Sequence, residues 1–367
     1  MSTNQNKNQE HKFFMDLALR QARVNLGNTK ENPSVGCVIT KNNSVISVGH
    51  TSINGRPHAE YNAINHSREK LNDSNLYVTL EPCSHYGKTP PCVQKIIRHK
   101  IKKVYFSIKD PDFRSLNKST KKFKKSNIGV NIGISSNQTK DFYKSYILFK
   151  KNELPFVTCK LAASRDFFTI NKKKKWITNK YSRGRVHLMR SNHDSIITSS
   201  RTIRIDNPFL NCSINGLEST SPSRIILDNH LKISHNSNVI KDSFKYKTII
   251  FFNRNNKKKT KLLKKLGVKT YKISVNKNGD LDLKKALIKA RKLGFSRIFL
   301  ESGLKLAGNF LKENLVNDLK FFISNEMLNK NGNGSIREYF TTLLKKKKFK
   351  VEKVNLFGEK LISYRIK

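Results

Sequence analysis

The sequence predicts two consecutive α/β domains. In both halves, short apolar runs typical of strands alternate with stretches that have helical periodicity. At 367 residues the chain is too long for one ordinary domain. The run Glu153-Leu154-Pro155 interrupts the last helical stretch of the first half, because the residue before a proline disfavours helix. We therefore place the boundary near residue 150 and expect domains at 1–150 and 151–367.

The elements of the first domain follow one another at short intervals. The apolar pattern predicts helices at 11–26, 58–70, 92–99 and 141–151, and strands at 35–39, 45–48, 76–80 and 104–108. Gly27 is a typical stop for the first helix. Between residues 112 and 137 the pattern weakens and lysines accumulate, so no element is predicted there.

The second domain restarts with a strand directly after the proline. Its predicted strands lie at 156–161, 195–198, 224–227, 248–252, 297–301 and 318–324, and its helices at 179–190, 281–293 and 306–314. The alternation of strand and helix again indicates an α/β layer structure, and no internal repeat is visible.

Charge is the most unusual feature of the composition. Lysine and arginine number 73 against 26 aspartates and glutamates, a net charge of +47, which first points to nucleic acid. However, the lysine runs at 172–175, 257–259 and 345–348 lie far apart, which favours a compositional bias over a specific nucleic-acid footprint. No run of about 18 apolar residues predicts a membrane span, and the polar start lacks a signal peptide, so we expect a cytoplasmic protein.

Five cysteines without a secretory signal argue against a disulfide framework and leave buried thiols or a metal site. His58, Cys83 and Cys92 are nitrogen and sulfur donors of the kind that zinc prefers, and a catalytic zinc uses three protein ligands. Glu60, two residues after the histidine, would reach a zinc-bound water and move its proton. This H-x-E and paired-cysteine arrangement is typical of zinc deaminases. The alternative is that the two cysteines are buried apolar thiols.

The second domain contains one glycine-bearing turn of interest. The segment 301–309, ESGLKLAGN, follows an apolar strand, where backbone amides at a helix N-terminus can approach a phosphate. It is neither a Walker loop nor a G-x-G-x-x-G fingerprint. On the residues alone, an ordinary tight turn explains it equally well.

The segment 82–92, PCSHYGKTPPC, closely resembles the deaminase signature of the bifunctional riboflavin-biosynthesis enzymes. These join a diaminohydroxyphosphoribosylaminopyrimidine deaminase to a 5-amino-6-(5-phosphoribosylamino)uracil reductase. The segments 32–39, 57–60 and 77–82 also look like that family. The resemblance implies a cytidine-deaminase-like three-layer sandwich with Zn2+ on His58, Cys83 and Cys92, and Glu60 as the catalytic proton carrier. It places Asn32, His85 and Lys88 around the substrate, Lys88 being suited to its phosphate.

The second half is similar to the reductase of the same family in the order of its segments 160–164, 176–178, 198–202, 206–208 and 301–309. The resemblance implies a dihydrofolate-reductase-like fold that binds NADPH. The implied cofactor residues are Ala162, Trp176, Thr202, Asp206, Asn229, Gly303, Leu304, Lys305, Leu306, Ala307, Gly308 and Asn309. The implied substrate residues are Arg190, Leu210 and Glu301. The bland alternatives are a core role for Trp176 and a surface position for Arg190.

Three departures from the family pattern fall in the reductase half. Phe167 replaces a glycine, Lys174 stands at a small polar substrate contact, and Ser213 stands where an arginine is usual. Loss of a phosphate-binding arginine weakens binding by about 1.5–3 kcal/mol, and Lys174 is a candidate to compensate. In the first half, the usual D-P-N-P segment has become Asp110-Pro111-Asp112-Phe113. The sequence therefore supports the deaminase more strongly than the reductase.

Together these observations predict a bifunctional zinc hydrolase and NADPH-dependent oxidoreductase of riboflavin biosynthesis. By resemblance, zinc hydroxide would deaminate 2,5-diamino-6-(5-phosphoribosylamino)pyrimidin-4(3H)-one, and NADPH would then reduce the ribosyl chain of the product to ribityl. We expect a small phosphorylated pyrimidine as partner, no specific nucleic acid, no membrane, and a homo-oligomer.

Two alternatives remain at this point. One is a zinc deaminase that acts on RNA and uses the positive surface to hold it. The other is a nucleic-acid-binding module with a structural zinc, for which His85 or Cys37 would supply a fourth protein ligand. Neither alternative gives the reductase-like half a role.

Overall fold

The computed structural model describes residues 2–254, 256–337, 344–345 and 347–367, without the side chains of residues 2–5. It divides into two compact units, Met1–Glu153 and Leu154–Lys367. The α/β class predicted for both halves is confirmed. No helix in the described part of the chain is long and apolar enough to cross a membrane.

The first unit is built on a five-stranded mixed sheet in the order β2-β1-β3-β4-β5. Strand β1 is antiparallel to β2 and β3, and β3, β4 and β5 run parallel. The strands are β1 (Gly36–Lys41), β2 (Ser44–His50), β3 (Asn75–Leu80), β4 (Lys103–Ile108) and β5 (Gly129–Ile132). The helices are α1 (Ser2–Ala22), α2 (Ala59–His66), α3 (Cys92–Arg98), α4 (Lys118–Lys125), α5 (Ser136–Phe142) and α6 (Lys144–Lys150).

Alternate side chains of these strands enter two cores, because successive residues of a strand point to opposite faces. On one face, Val38, Tyr77 and Tyr105 pack against apolar residues of α1. On the other face, neighbouring residues of the same strands pack with apolar residues of α2 and α3. The unit is therefore a three-layer sandwich, as predicted, and the sheet lies between α1 and the helices that carry the candidate metal ligands.

The second unit contains a nine-stranded sheet in the order β11-β10-β9-β8-β12-β6-β13-β16-β15, and a two-stranded ribbon β14-β7. All strands from β11 to β13 in that order run parallel, whereas β16 and β15 are antiparallel. The strands are β6 (Phe156–Ala163), β7 (Phe168–Asn171), β8 (Ser195–Ser199), β9 (Ser223–Leu227), β10 (Thr248–Phe252), β11 (Lys269–Lys272), β12 (Arg297–Glu301), β13 (Asp318–Ile323), β14 (Gly332–Ser335), β15 (Phe349–Val351) and β16 (Lys360–Arg365).

Two apolar cores cover the two faces of this sheet. Ile225 and Leu227 of β9 enter one core and Ile226 enters the other. The helices of the unit are α7 (Lys180–Ser191), α8 (Ser200–Asp206), α9 (Asn238–Lys241), α10 (Lys257–Lys265), α11 (Leu283–Lys292) and α12 (Leu304–Lys312). Burial on both faces explains why the central parallel strands read as nearly continuous apolar runs.

Arg224, on β9, is a polar residue inside this core with none of its surface exposed. Its guanidinium lies 2.7 Å from the carboxylate of Asp242. It also donates, at 2.7–3.1 Å, to Thr248 Oγ1 and to the backbone carbonyls of Phe209, Val239 and Tyr246. The charge is therefore both paired and hydrogen-bonded, the condition under which a buried arginine is tolerated.

The structure corrects several predicted elements. The first helix begins at Ser2 rather than at residue 11, and the predicted helix at 141–151 is two helices, α5 and α6, separated at Tyr143. The helix predicted over 58–70 ends at His66. The segment 112–137, for which no element was predicted, contains α4 and β5.

Candidate functional site

The candidate metal ligands come from three places that the fold brings together. His58 caps the N-terminus of α2, Cys83 lies three residues after the end of β3, and Cys92 is the first residue of α3. His58 Nδ1 lies 3.5 Å from Cys83 Sγ and 3.4 Å from Cys92 Sγ. The three donor atoms all lie within 4.8 Å of one another.

These distances fit a tetrahedral zinc ion. Bonds of about 2.3 Å to sulfur and about 2.0–2.1 Å to nitrogen put neighbouring nitrogen and sulfur ligands about 3.6 Å apart. Among the described residues, the donor group contains three members, and neither His85 nor Cys37 belongs to it. Cys37 is fully buried in β1. The alternative of a structural zinc closed by either residue is therefore not supported.

Glu60 lies in the first turn of α2, two residues after His58, and only 4% of its surface is exposed. Burial, together with the neighbouring Cys83, raises the pKa of Glu60 to about 7. A hydrogen bond with Cys92 and the nearby imidazole of His58 hold the pKa of the Cys83 thiol well below its ordinary value. The site therefore combines a thiolate ligand with a carboxyl group that can both accept and release a proton near neutral pH.

The three predicted substrate residues of this unit differ in how firmly they are held. Asn32 donates to the carbonyl of Gly55 at 3.1 Å, and a Cβ at Gly55 would collide with the Asn32 amide. His85 Nδ1 lies 3.0 Å from Ser115 Oγ. Lys88 is exposed, in the loop between the two cysteines. His85 lies two residues after the candidate ligand Cys83, and Lys88 lies at the surface of the same loop.

The residues that support this loop were not predicted from the sequence. Glu81, directly before Pro82, is 3% exposed and accepts hydrogen bonds from the 110–119 segment. Lys122 of α4 donates to the carbonyl of Ser84 at 2.6 Å. A glutamate at the end of a buried strand was the available signal, because a buried carboxylate requires hydrogen-bond donors.

In the second unit, most predicted cofactor residues lie at one edge of the sheet. Ala162 is the next-to-last residue of β6, Thr202 and Asp206 lie on α8 after β8, and Asn229 follows β9. Because β6, β8, β9 and β12 are parallel, these residues and the turn after β12 share the carboxyl edge, where α/β sheets bind ligands.

The predicted diphosphate loop is a helix N-terminus. Gly303 caps α12 with φ −66° and ψ 166°, and residues 304–309 form the first turns of the helix. A Cβ at Gly303 would meet no atom within 4 Å, so the backbone here is open. The first amides of α12 lack intrahelical acceptors, as in any α-helix. An open turn with free amides fits the phosphate groups of NADPH.

The structure decides between two interpretations each for Trp176 and Arg190. Trp176 is 55% exposed and lies beside Lys175 and Arg183, so it is not a core residue. Arg190 is buried and forms a bidentate ion pair with Glu301 at 2.8 and 2.9 Å, so it is not a surface cation. Burial acts to raise the pKa of Glu301, but the charge and hydrogen bonds of Arg190, together with Lys160, outweigh it and lower the pKa to about 2.

Leu210, the third predicted substrate residue, is buried, whereas Ser213 and Lys174, two of the departures from the family pattern, are exposed. Leu210 is 2% exposed, with a left-handed φ of 54°. Ser213, in place of the usual arginine, contacts the His187 ring through its amide at 3.2 Å and its hydroxyl at 3.3 Å. Lys174 lies 3.2 Å from Glu326, and both side chains are largely exposed.

Comparison with known proteins matches both units. Residues 155–363 match the RibD C-terminal domain, and residues 8–108 match the cytidine and deoxycytidylate deaminase zinc-binding region. Riboflavin biosynthesis protein RibD of Aquifex aeolicus is 31% identical over 96% of this chain and 97% of its own, and that of Bacillus amyloliquefaciens is 31% identical over 85% and 84%. The chain belongs to the RibD family.

Solved structures agree with this assignment to the RibD family. Form 1 of Acinetobacter baumannii RibD is 26% identical with a TM-score of 0.84, and covers 98% of this chain and 99% of its own. A diaminohydroxyphosphoribosylaminopyrimidine deaminase/5-amino-6-(5-phosphoribosylamino)uracil reductase from Thermotoga maritima is 28% identical with a TM-score of 0.83 and the same coverage. Like other RibD proteins, this chain is a bifunctional enzyme of riboflavin biosynthesis with deaminase and reductase domains.

Proposed function

We propose that residues 1–150 hydrolyse the C2 amino group of 2,5-diamino-6-(5-phosphoribosylamino)pyrimidin-4(3H)-one and release ammonia. The observation that carries this proposal is the convergence of one imidazole and two thiols beside a buried carboxyl group. The name of the Thermotoga maritima relative supports this choice of substrate.

His58, Cys83 and Cys92 would hold zinc, which when bound supplies Lewis-acid activation of water. Glu60 accepts the proton of the attacking water and delivers it to the departing amino group. His85 and Asn32 orient the pyrimidinone, and the ammonium group of Lys88 binds its phosphate. The fixed positions of the first two groups suit orientation, whereas the exposed Lys88 suits capture of a charged group.

We propose that residues 151–367 reduce the ribosyl chain of 5-amino-6-(5-phosphoribosylamino)uracil to a ribityl chain. NADPH, when bound, would supply a hydride to C1′ of the ring-opened imine, while the imine nitrogen takes a proton from solvent. The amides at the start of α12 bind the cofactor diphosphate, and Ala162, Trp176, Thr202, Asp206 and Asn229 complete its site. Arg190, Leu210 and Glu301 contact the substrate, and the bidentate pair fixes the first and last of these.

The deciding experiment is turnover of the diaminopyrimidinone phosphate by the purified full chain, with and without NADPH. Chromatography resolves the deaminated product from the reduced one. We expect deaminated product without NADPH, and ribityl product with matching oxidation of NADPH when the cofactor is present. The same preparation should contain one zinc per chain by elemental analysis.

Two outcomes would contradict the proposal separately. A zinc-free protein, or one that releases no ammonia, would remove the deaminase assignment. Accumulation of the deaminated product without NADPH oxidation would leave a monofunctional deaminase. Phe167, Lys174 and Ser213 would then be the first positions to change back to the family residues.

A further inference from the structure

The loop that carries the metal ligand Cys83 is braced by a contact that the proposed mechanism does not use. His85 Nδ1 lies 3.0 Å from the hydroxyl oxygen of Ser115. Ser115 belongs to the segment between β4 and α4, and none of its surface is exposed. A buried hydroxyl against one ring nitrogen constrains the hydrogen on the other nitrogen.

The direction of this hydrogen bond follows from the surroundings of Ser115. Among the residues that the structure describes, Ser115 Oγ has the His85 ring as its hydrogen-bond partner and no other. If Nδ1 carried the hydrogen and donated it, the buried hydroxyl hydrogen would have no acceptor, which is unfavourable. The hydroxyl therefore donates to Nδ1, and the neutral ring carries its hydrogen on Nε2.

The segment that contains Ser115 is held in place by Glu81, which lies two residues before Cys83. The carboxylate of Glu81 accepts hydrogen bonds from the amides of Asp110 at 3.3 Å and Asn117 at 3.2 Å, and from the hydroxyl of Ser119 at 2.7 Å. The Ser115 amide donates to the carbonyl of Asp112 at 2.9 Å. The hydroxyl is therefore preorganised before substrate binds, as a partner that fixes a histidine tautomer must be.

We propose that Ser115 is a positioning residue that holds the His85 ring with its hydrogen on Nε2. Nε2 then donates to an acceptor atom of the pyrimidinone ring of the substrate. This inference rests on the proposed deaminase function, in which His85 contacts the substrate. Since the hydrogen bond to substrate is made in both the bound and the transition state, Ser115 acts on substrate affinity rather than on the chemical step.

Three variants isolate the hydroxyl. Ser115→Ala removes it without adding volume. Ser115→Thr keeps it and adds a methyl group, and Ser115→Val has the shape of threonine without the hydroxyl. We expect Val and Ala to raise the KM for the diaminopyrimidinone phosphate roughly tenfold, with kcat and zinc content unchanged, and Thr to restore the KM. Ser74→Ala removes another fully buried hydroxyl, which donates to Leu71, and serves as the control.

A second measurement does not depend on turnover. The 15N chemical shifts of the His85 ring, assigned by comparison with His85→Asn, report which nitrogen carries the hydrogen. We expect the Nε2–H form in the wild type and in Ser115→Thr, and a mixture of both tautomers in Ser115→Ala and Ser115→Val.

The outcomes separate the inference from the function on which it rests. An unchanged tautomer and KM in both Ser115→Ala and Ser115→Val would overturn the positioning role while wild-type deamination persists. Joint loss of zinc, kcat and thermal stability would show Ser115 to be structural only. Absence of deamination in the wild type would instead reject the proposed function, whatever the tautomer.

Discussion

At the scale of single residues, Glu60 is the proton carrier that we propose for the deaminase. We expect Glu60→Gln to keep zinc, since the three donor groups are untouched, and to lower kcat for deamination by about 10²–10⁴-fold, because the amide cannot carry the proton. Ammonia release measures this loss. The reduction of the deaminated intermediate by the same protein is the internal control and should be unchanged. A variant with wild-type ammonia release would show that another group moves the proton.

We expect the buried His193 to make the stability of the second unit depend on pH. It is 4% exposed, and its ring contacts the Met189 carbonyl at 2.6 Å and Thr158 Oγ1 at 3.1 Å. Burial, with Arg297 nearby, lowers the pKa of His193 well below its usual value. The unfolded chain therefore takes up this proton first, and stability is lost as pH falls below about 6.5, by at most about 1.4 kcal/mol per pH unit.

Thermal unfolding of the wild type and of His193→Gln between pH 8 and pH 5 measures this contribution. The variant keeps a donor and an acceptor but does not titrate, so its stability should fall less steeply with acid. Neighbouring Asp194, whose pKa burial raises to about 6, acts in the opposite direction in both proteins and cancels in the comparison. Equal slopes would assign the acid sensitivity to other groups.

At the scale of elements, the start of α12 predicts a charge effect on cofactor binding. Gly303 has the extended φ and ψ of an N-cap and an open Cβ position, so Asp and Asn both fit there without strain. Gly303→Asp puts a carboxylate where the diphosphate would lie, and we expect the KM for NADPH to rise at least roughly tenfold while the Tm holds or increases.

Gly303→Asn is the matched control, because it has the same shape and capping ability without the charge. It should raise the KM for NADPH much less than the aspartate does. Steady-state oxidation of NADPH at varied cofactor concentration measures both values. Equal effects of the two substitutions would mean that shape, and not a cofactor phosphate, governs this position.

The elements also show where sequence patterns were sufficient. The central strands of the large sheet were predicted because burial on both faces gives an apolar run, as in the fully buried Thr248–Phe252. Helix α4 was missed because Phe123 is the one large apolar residue that holds it to the core. The outer turns of α1 were missed because their residues are polar, and those at 6–9 are exposed, so no apolar periodicity appears in the sequence.

The candidate site follows the same logic. The three donor residues that the structure brings together could be predicted as candidate zinc ligands, because zinc accepts few residue types at recognisable positions. The hydrogen bonds from Ser115 and Lys122 could not be predicted, because each joins the loop that carries Cys83 to a residue 30 or more positions away. Serines and lysines are also common in this chain, so neither residue type draws attention by itself.

At the scale of the whole molecule, the net charge of +47 predicts a salt effect on both half-reactions. The proposed substrate and the proposed cofactor are anionic, and a positive field raises the encounter rate of such molecules. Between about 0.01 and about 0.15 M ionic strength the screening length falls from about 30 Å to about 8 Å. We expect kcat/KM for the diaminopyrimidinone phosphate to fall severalfold over this range while kcat stays constant.

Initial rates at low and at saturating substrate, in buffers that differ only in added salt, measure this effect. A control at fixed ionic strength with added sucrose separates diffusion from charge. A kcat/KM that is independent of salt would assign the excess lysines no role in capture and leave them as a compositional bias.

The guanidinium of Arg224 marks the limit of that bias. Replacement of arginine by lysine is tolerated on a solvated surface, because the positive charge is kept and little stability is lost. In the core, an ammonium group has three donors on a single atom and cannot span the three carbonyls, the hydroxyl and the carboxylate that this guanidinium joins. We therefore expect that, if each arginine is changed to lysine and the variants are selected for folded protein, the variant at position 224 is lost while most surface variants are retained. Mutational tolerance in such a lysine-rich protein thus maps where geometry, and not charge, is under selection.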